Sequence, residues 1–287
     1  MSEEIKGILI PIGGNEDKGL ESDQANAEEF ISEGILSHIL RASKGFSSKI
    51  VIIPTASSIP KEVSQNYLDA FAHFGCEKVT ILNIRKRKQA EDAEFCECLL
   101  DADCIMISGG DQSKLSRHIL GTFAHKVLME RYKNDPIVIA GTSAGAVAMS
   151  LEMVTGGSSK ESLIKGAVKI STGLGFIPDM IIDSHFIRRG RFGRLAEAVA
   201  RKSHLLGIGL GEDTGIIIKD GDHATVIGSG MVIIFDPNEL THNKHDELKE
   251  GTPMSMSNLI VHILSNGDQF SIKERKIHVL PMHESFI

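Results

Sequence analysis

The sequence predicts an α/β protein built on a doubly wound, mostly parallel sheet, with antiparallel hairpin strands in the C-terminal half. Short apolar, β-branched runs alternate with helical patterns through the first half. These runs are continuous rather than alternating, which suits strands buried on both faces. Three of the strand ends are glycine-rich, at Gly13-Gly14, Gly109-Gly110 and Gly141. In doubly wound folds, loops at the carboxyl ends of strands carry the site.

Residues 7–12 read as the first strand. Residues 49–54 read as the second, around the unbroken Val51-Ile52-Ile53. Residues 78–84, 104–108 and 136–140 supply three more. The helix at 64–74 shows Leu68, Phe71 and Ala72 as one stripe at i, i+3, i+4. In the second half, 180–183, 205–210, 215–219, 224–227 and 231–235 read as short strands. Turn signals lie at Lys219-Asp220-Gly221-Asp222 and Gly228-Ser229-Gly230. These strands are expected as antiparallel hairpins on the edge of the sheet. Residues 238–256 are polar and read as an exposed loop. No repeat, low-complexity segment or linker interrupts the chain, so 1–287 is expected to be a single domain.

The 287 residues carry a formal net charge of −7, with 41% hydrophobic and 24% charged residues. No overall basic field exists to attract nucleic acid or an anionic membrane. No apolar run of about 20 residues is present to span a bilayer. The first six residues lack the pattern of a signal peptide, which predicts a cytoplasmic protein. Cys76, Cys96, Cys98 and Cys104 form no pair of spaced clusters, so reduced thiols are expected rather than a metal site.

The strongest local signal is Ile139-Ala140-Gly141-Thr142-Ser143-Ala144-Gly145-Ala146. An apolar strand ends and a small-residue helix begins at once, in the pattern G-x-S-x-G. A serine on such a tight turn projects its hydroxyl outward. The alternative is a helix start at which Ser143 is only a cap. Acyl transfer also needs donors facing the developing oxyanion. The Ala144 N–H is one candidate. The N–H of Gly110 or Asp111 is the other, if the Gly109-Gly110-Asp111-Gln112 turn lies beside Ser143; otherwise that turn has no role in the chemistry.

A serine nucleophile needs a base, and the base needs an orienting acid. Among twelve histidines, His185 follows the apolar strand 180–183, and Glu212 follows a strand ending in Gly211. The chain order is then Ser143, His185, Glu212. The alternative order of an α/β-hydrolase would use Asp183 with His204 or His223. Arg188, Arg189, Arg191 and Arg194 follow His185 and open a helix with the stripe Phe192, Leu195, Ala196 and Val199. Arg191 and Arg194 share a face. The run reads either as a carboxylate-binding cluster or as a solvated helix face with ion pairs.

At these residues the chain resembles the cyanophycinases, of the same peptidase family as the aspartyl dipeptidases. The shared motifs run in order from Gly13-Gly14-Asn15-Glu16-Asp17-Lys18 through Pro54-Thr55-Ala56-Ser57, Gly109-Gly110-Asp111-Gln112 and Gly141 to Ala146. They continue with Gly156-Gly157-Ser158-Ser159, Gly173-Leu174-Gly175, Asp183 to Phe186, the arginine run, Glu212-Asp213-Thr214 and Phe235-Asp236. The resemblance implies a class I glutamine amidotransferase-like fold with serine in place of cysteine, a Ser143–His185–Glu212 triad, a homodimer and no cofactor. It implies Gln112, Asp183, Arg189, Arg191 and Arg194 as substrate-lining residues. The implied substrate is cyanophycin, an aspartate backbone with arginine on each side-chain carboxyl. It is cut from its C-terminal end to β-Asp-Arg dipeptides. Ser184 departs from the usual glutamine before the histidine, which bears on peptide specificity. An aspartyl or isoaspartyl dipeptidase and a non-catalytic binding protein that kept the fold are the competing expectations.

Overall fold

The computed structural model describes residues 5–16, 18, 34–157, 162–281, 283–285 and 287. Asp17, Ser158 and Ser159 of the shared motifs therefore lie outside the described residues.

The five predicted N-terminal strands form the parallel half of a nine-stranded sheet. They are β1 (Ile8–Ile12), β2 (Ile50–Ile53), β3 (Val79–Ile81), β4 (Cys104–Ile107) and β5 (Val138–Thr142). Their order across the sheet is β1-β5-β4-β2-β3, with every neighbouring pair parallel. β2, β4 and β5 are buried along their whole lengths, as continuous apolar runs require.

Helices cover both faces. On one face, α1 (Ile35–Ala42) and α2 (Pro60–His73) pack on Ile10, Ile12, Ile52 and Met106. On the other, α4 (Gln112–Ile119), α5 (Phe123–Asn134) and α6 (Ala144–Val147) pack on Ile53, Ile105, Ile107 and Ile139. The short α3 (Arg87–Glu91) contributes Ala90 to this second face. Each fully buried aliphatic side chain contributes about 1.5–3 kcal/mol. The α2 stripe is rotated from the expected one: Tyr67, Ala70 and Phe71 are buried, and Ala72 is exposed. Tyr67 takes an inner position, where its hydroxyl donates to the Glu16 carboxylate.

The second half departs from the expected edge hairpins. Among the described residues, short strands β6 (Glu152–Gly156) and β7 (Lys169–Thr172) pair only with each other. β8 (Met180–Asp183) and β9 (Leu206–Leu210) run parallel, joined by α7 (Phe192–Arg201). They form a separate four-stranded sheet with β12 (Val232–Asp236) and β13 (Ile260–Leu264). Only β10 (Thr214–Lys219) and β11 (His223–Gly228) make the expected hairpin, which adds antiparallel to β1. β14 (Gln269–Ser271) and β15 (Ile277–His278) extend that edge.

The reason for the second sheet lies in Leu206-Gly207-Ile208-Gly209-Leu210. The period of two sends Leu206, Ile208 and Leu210 to the main core and both glycines to the other face. There α7 and Phe186 come so close that a Cβ on Gly207 would meet Val199 at 2.6 Å. One on Gly209 would meet the Phe186 ring at 2.5 Å. The strand is thus sandwiched between the main core and a helix, a position no edge hairpin offers. Residues 238–256 form a loop that is partly tied down, with Asn243 Nδ2 donating to Ala200 O at 2.7 Å.

Candidate active site

Five loops meet at the carboxyl ends of β1, β4, β5, β8 and β9. The turn after β1 organises the others. Ser143 N–H donates to Ile12 O at 2.8 Å, His185 N–H to Gly13 O at 2.8 Å, and Asp213 N–H to Gly14 O at 2.9 Å. Gly14 has φ +106, and a Cβ there would strike the His185 ring at 2.4 Å. Only glycine lets this turn lie against the imidazole.

Ser143 sits between β5 and α6 at φ 50 and ψ −108. His185 has φ 48, Asn15 φ 48 and Asp213 φ 45. Such conformations are costly for residues with a side chain and cluster where surrounding structure enforces them. The side chains join in one line. Ser143 Oγ lies 3.0 Å from His185 Nε2, and His185 Nδ1 lies 2.7 Å from Glu212 Oε1. Glu212 Oε2 accepts from Arg188 Nη1 at 2.8 Å, and the Asn15 side chain bonds the same carboxylate.

The electrostatics follow from these contacts. Burial raises the Glu212 carboxyl, but Arg188, His185 and Asn15 outweigh it and hold it down to about 2. Burial depresses His185 below the usual histidine value. The Glu212 bond opposes this, and Arg189 and Arg191 add to it. The imidazole is therefore neutral at pH 7 and able to accept a proton, with Glu212 ionised behind it. His204 and His223 do not border the cavity onto which Ser143 and His185 open, and His223 faces Asp222 at 3.9 Å in the β10–β11 hairpin.

The Gly109-Gly110 turn lies beside the nucleophile position: a Cβ on Gly109 would stand 3.3 Å from Ser143 Cβ. Ala144 is the first residue of α6, so its N–H has no acceptor within the helix. Asp111 departs from its expected place as an oxyanion donor. Its N–H donates to Ala56 O at 3.0 Å, and its carboxylate caps α4 by accepting from Ser113 N–H at 2.9 Å. It cannot also donate to an oxyanion, which leaves Gly110 as the candidate in that loop.

The expected substrate-lining set divides. Arg189 borders a cavity of about 410 Å³ with Gly14, Asn15, Ser143 and His185. Gln112, Asp183, Arg191 and Arg194 do not border it. Gln112 Nε2 donates to Val154 O at 2.7 Å and ties α4 to β6. Asp183 is fully buried and accepts from Arg191 Nη1 at 2.9 Å and from Arg194 Nε at 2.8 Å. Arg194 Nη2 closes a second bond to it. The shared face of Arg191 and Arg194 thus serves an internal carboxylate. Arg191 immediately precedes α7 without capping it through its side chain, and Arg194 lies in the first turn, while Arg188 and Arg189 belong to the preceding turn, which ends at Gly190 with φ +58. Ser184 N–H donates to Asp183 at 2.9 Å, and its carbonyl accepts from Arg191 at 2.7 Å.

Asn15, Glu16, Lys18 and Tyr67, to which the sequence assigns no role, also line the cavity. The available signal was a polar run directly after a strand ending in glycine, the same signal that marked His185 and Glu212.

The model of peptidase family S51 matches residues 22–227. The cyanophycinase of Trichormus variabilis is 36% identical over 272 residues, covering 95% of this chain and 88% of that protein. The cyanophycinase of Geminocystis herdmanii is 33% identical over 278 residues, covering 97% of each. The crystal structure of a peptidase from an acI-B1 Actinobacterium shares the fold. Its TM-score is 0.60 at 21% identity, over 92% of this chain and 98% of that one.

Proposed function

This chain belongs to peptidase family S51 and is a serine-type peptidase, and we propose that it hydrolyses cyanophycin to β-Asp-Arg dipeptides through an acyl enzyme on Ser143. The observation that carries this reading is the unbroken line from Ser143 Oγ through His185 to Glu212 at the edge of an open cavity.

Each role follows from position and charge. Ser143 Oγ attacks the scissile carbonyl carbon while His185 Nε2 takes its proton. Glu212 holds the Nδ1–H tautomer and stabilises the imidazolium that forms. The Gly110 and Ala144 N–H groups receive the oxyanion, a contribution of about 2.7–4 kcal/mol for one such donor. His185 then returns the proton to the departing amine. Water enters, gives a proton to His185 and splits the acyl ester, and Ser143 is restored. Arg189 supplies a cation at the cavity for a substrate carboxylate.

Two further properties belong to the same proposal. Residues 1–287 act as one domain, supported by a core cluster that runs from Leu9 to Ile272. The protein is read as a cytoplasmic homodimer, and Val261 and Ile263, exposed on edge strand β13, offer an apolar surface to a second copy. Among the described residues no helix is long and apolar enough to cross a membrane. Sedimentation of the purified chain tests the dimer.

Incubation with purified cyanophycin, followed by mass analysis of the products, tests the activity. β-Asp-Arg as the accumulating product is the expected result. Free aspartate from N-terminal aspartyl peptides, with cyanophycin untouched, would establish the dipeptidase instead. A protein inert to both substrates and to a serine-reactive fluorophosphonate would be a binding protein.

A further inference from the structure

Glu16 is a carboxylate that the acyl-transfer scheme does not use, and it is 3% exposed. A buried carboxylate is costly unless partners compensate it, so its partners define its task. Thr142 Oγ1 donates to Glu16 Oε2 at 2.6 Å, and the Tyr67 hydroxyl donates to Oε1. Lys18 Nζ stands 3.3 Å from Oε1 and 5.5 Å from the centre of the Tyr67 ring. Burial raises the Glu16 carboxyl, but Lys18, Thr142 and Tyr67 outweigh it and bring it below its usual value. Burial and Glu16 together push the Tyr67 hydroxyl well above its usual range, so it remains a donor.

Thr142 immediately precedes Ser143, whose φ of 50 needs enforcement from outside. The Ser143 N–H is fixed from one side by Ile12 O. The Thr142 hydroxyl is fixed from the other by Glu16, four residues further along the same turn. We infer that Glu16 is a positioning residue for the nucleophile, holding the Thr142–Ser143 elbow through the Thr142 hydroxyl. This rests on the reading of Ser143 as nucleophile. Glu16 does not touch the reacting atoms. Its carboxylate bridges Thr142 at the end of β5 and Tyr67 of α2, tying the turn to the elbow and to the helix.

The test is the rate at which a small fluorophosphonate labels Ser143 in the full chain. It compares wild type, Glu16→Gln, Thr142→Val and the double variant. The probe needs no specificity pocket, so its rate reads elbow geometry. Each single variant should slow labelling about tenfold or more, since small misplacements of a reacting group cost that much. The double variant should be no slower than the slower single one, because both break the same link. On a β-linked Asp-Arg peptide, kcat should fall while KM stays within about twofold. Labelling of Thr142→Val at the wild-type rate overturns the inference. So does Glu16→Gln raising KM alone, which would make Glu16 a substrate contact. Thr142→Val is nearly isosteric and decides the matter if Glu16→Gln does not fold. A wild-type protein that takes no label on Ser143 overturns the functional reading, and this inference with it. A labelled wild type with unslowed variants overturns the inference alone.

Discussion

Asp183 ends β8 and Glu212 follows β9, so two carboxylates close neighbouring parallel strands. Arginines from the same run, 188–194, grip both. The Asp183 side chain is 0% exposed, and its oxygens accept from Arg191, Arg194 and the Ser184 N–H. The Glu212 side chain is 22% exposed and gives one oxygen to His185 and the other to Arg188. Two guanidiniums saturate a buried carboxylate and make it a fixed anchor. An imidazole on one oxygen leaves a carboxylate that responds when a proton reaches the ring. The target of an arginine is set by which carboxylate the fold places nearest to it, a property that charge spacing along the chain does not contain.

Removing the line that Glu212 serves should give the largest effect. Ser143→Ala and His185→Ala should each lower kcat on cyanophycin by about 10⁶, since nucleophile and base act as a unit. Glu212→Gln should cost less, about 10⁴, because it corrupts the tautomer without removing the base. All three should keep the wild-type far-UV spectrum and thermal midpoint within a few degrees. If Ser143→Ala kept turnover near wild type, the mechanism would be wrong.

Asp183→Ala should reverse the pattern. Breaking a buried pair strands two guanidiniums and typically costs about 3–5 kcal/mol of stability. A lowered urea midpoint is expected, with Ser143 still labelled by fluorophosphonate wherever the variant is folded. A stable but unreactive Asp183→Ala protein would break the comparison and move Asp183 into the chemistry.

These contrasts also mark what the sequence could disclose. The elbow that carries Ser143 was legible because a buried strand, a tight turn and a small-residue helix leave a local signature. The meeting of His185 and Glu212 with that elbow was legible from their places as polar residues at strand ends. The partners of Arg191 and Arg194 were not, because the Asp183 that claims them comes from another element. The separate sheet of β8, β9, β12 and β13 was misread because short apolar strands look alike whether they extend an edge or start a new layer. The glycine alternation at Gly207 and Gly209 was the clue, and it acts only through the closeness of α7. Asp111 was misassigned because a helix cap and an oxyanion donor both occur in glycine turns.

The pH dependence should separate the two carboxylate regions further. His185 is depressed below its ordinary value of 6.5, with burial as the main cause. It stays neutral, and so base-competent, below pH 6.5, and the acid limb of kcat/KM is expected there. Arg189→Gln removes a like charge from beside the ring. The limb should shift to higher pH, and KM for an acidic peptide should rise about tenfold. For stability the sign is the same. The unfolded chain takes a proton at His185 before the folded protein does, so that contribution is lost as pH falls below 6.5. Glu212 contributes above its unfolded value of 4.5 and loses this as pH falls toward 2. An acid limb above pH 6.5 in the wild type would count against His185 as the base.

Arg188→Gln should give the smallest effect and is the finest test of the comparison. Arg188 and Arg194 both bond a carboxylate, but the Arg188 side chain is 71% exposed and that of Arg194 only 9%. Exposed ion pairs add little because water screens them and the long side chain must be ordered. The thermal midpoint of Arg188→Gln should therefore match the wild type. Its bond goes to Oε2, whereas His185 uses Oε1, and the Asn15 side chain still holds the carboxylate. Loss of Arg188 should loosen Glu212 without releasing the imidazole, lowering kcat about two- to fivefold at unchanged KM. Raising ionic strength should shrink the difference between the two proteins, since salt weakens an exposed pair. The same salt titration on Arg194→Gln should change nothing, because its pair with Asp183 lies out of reach of solvent. If Arg188→Gln were as damaging as Glu212→Gln, the exposed arginine would be an essential part of the line, and burial would no longer explain the difference between the two carboxylates.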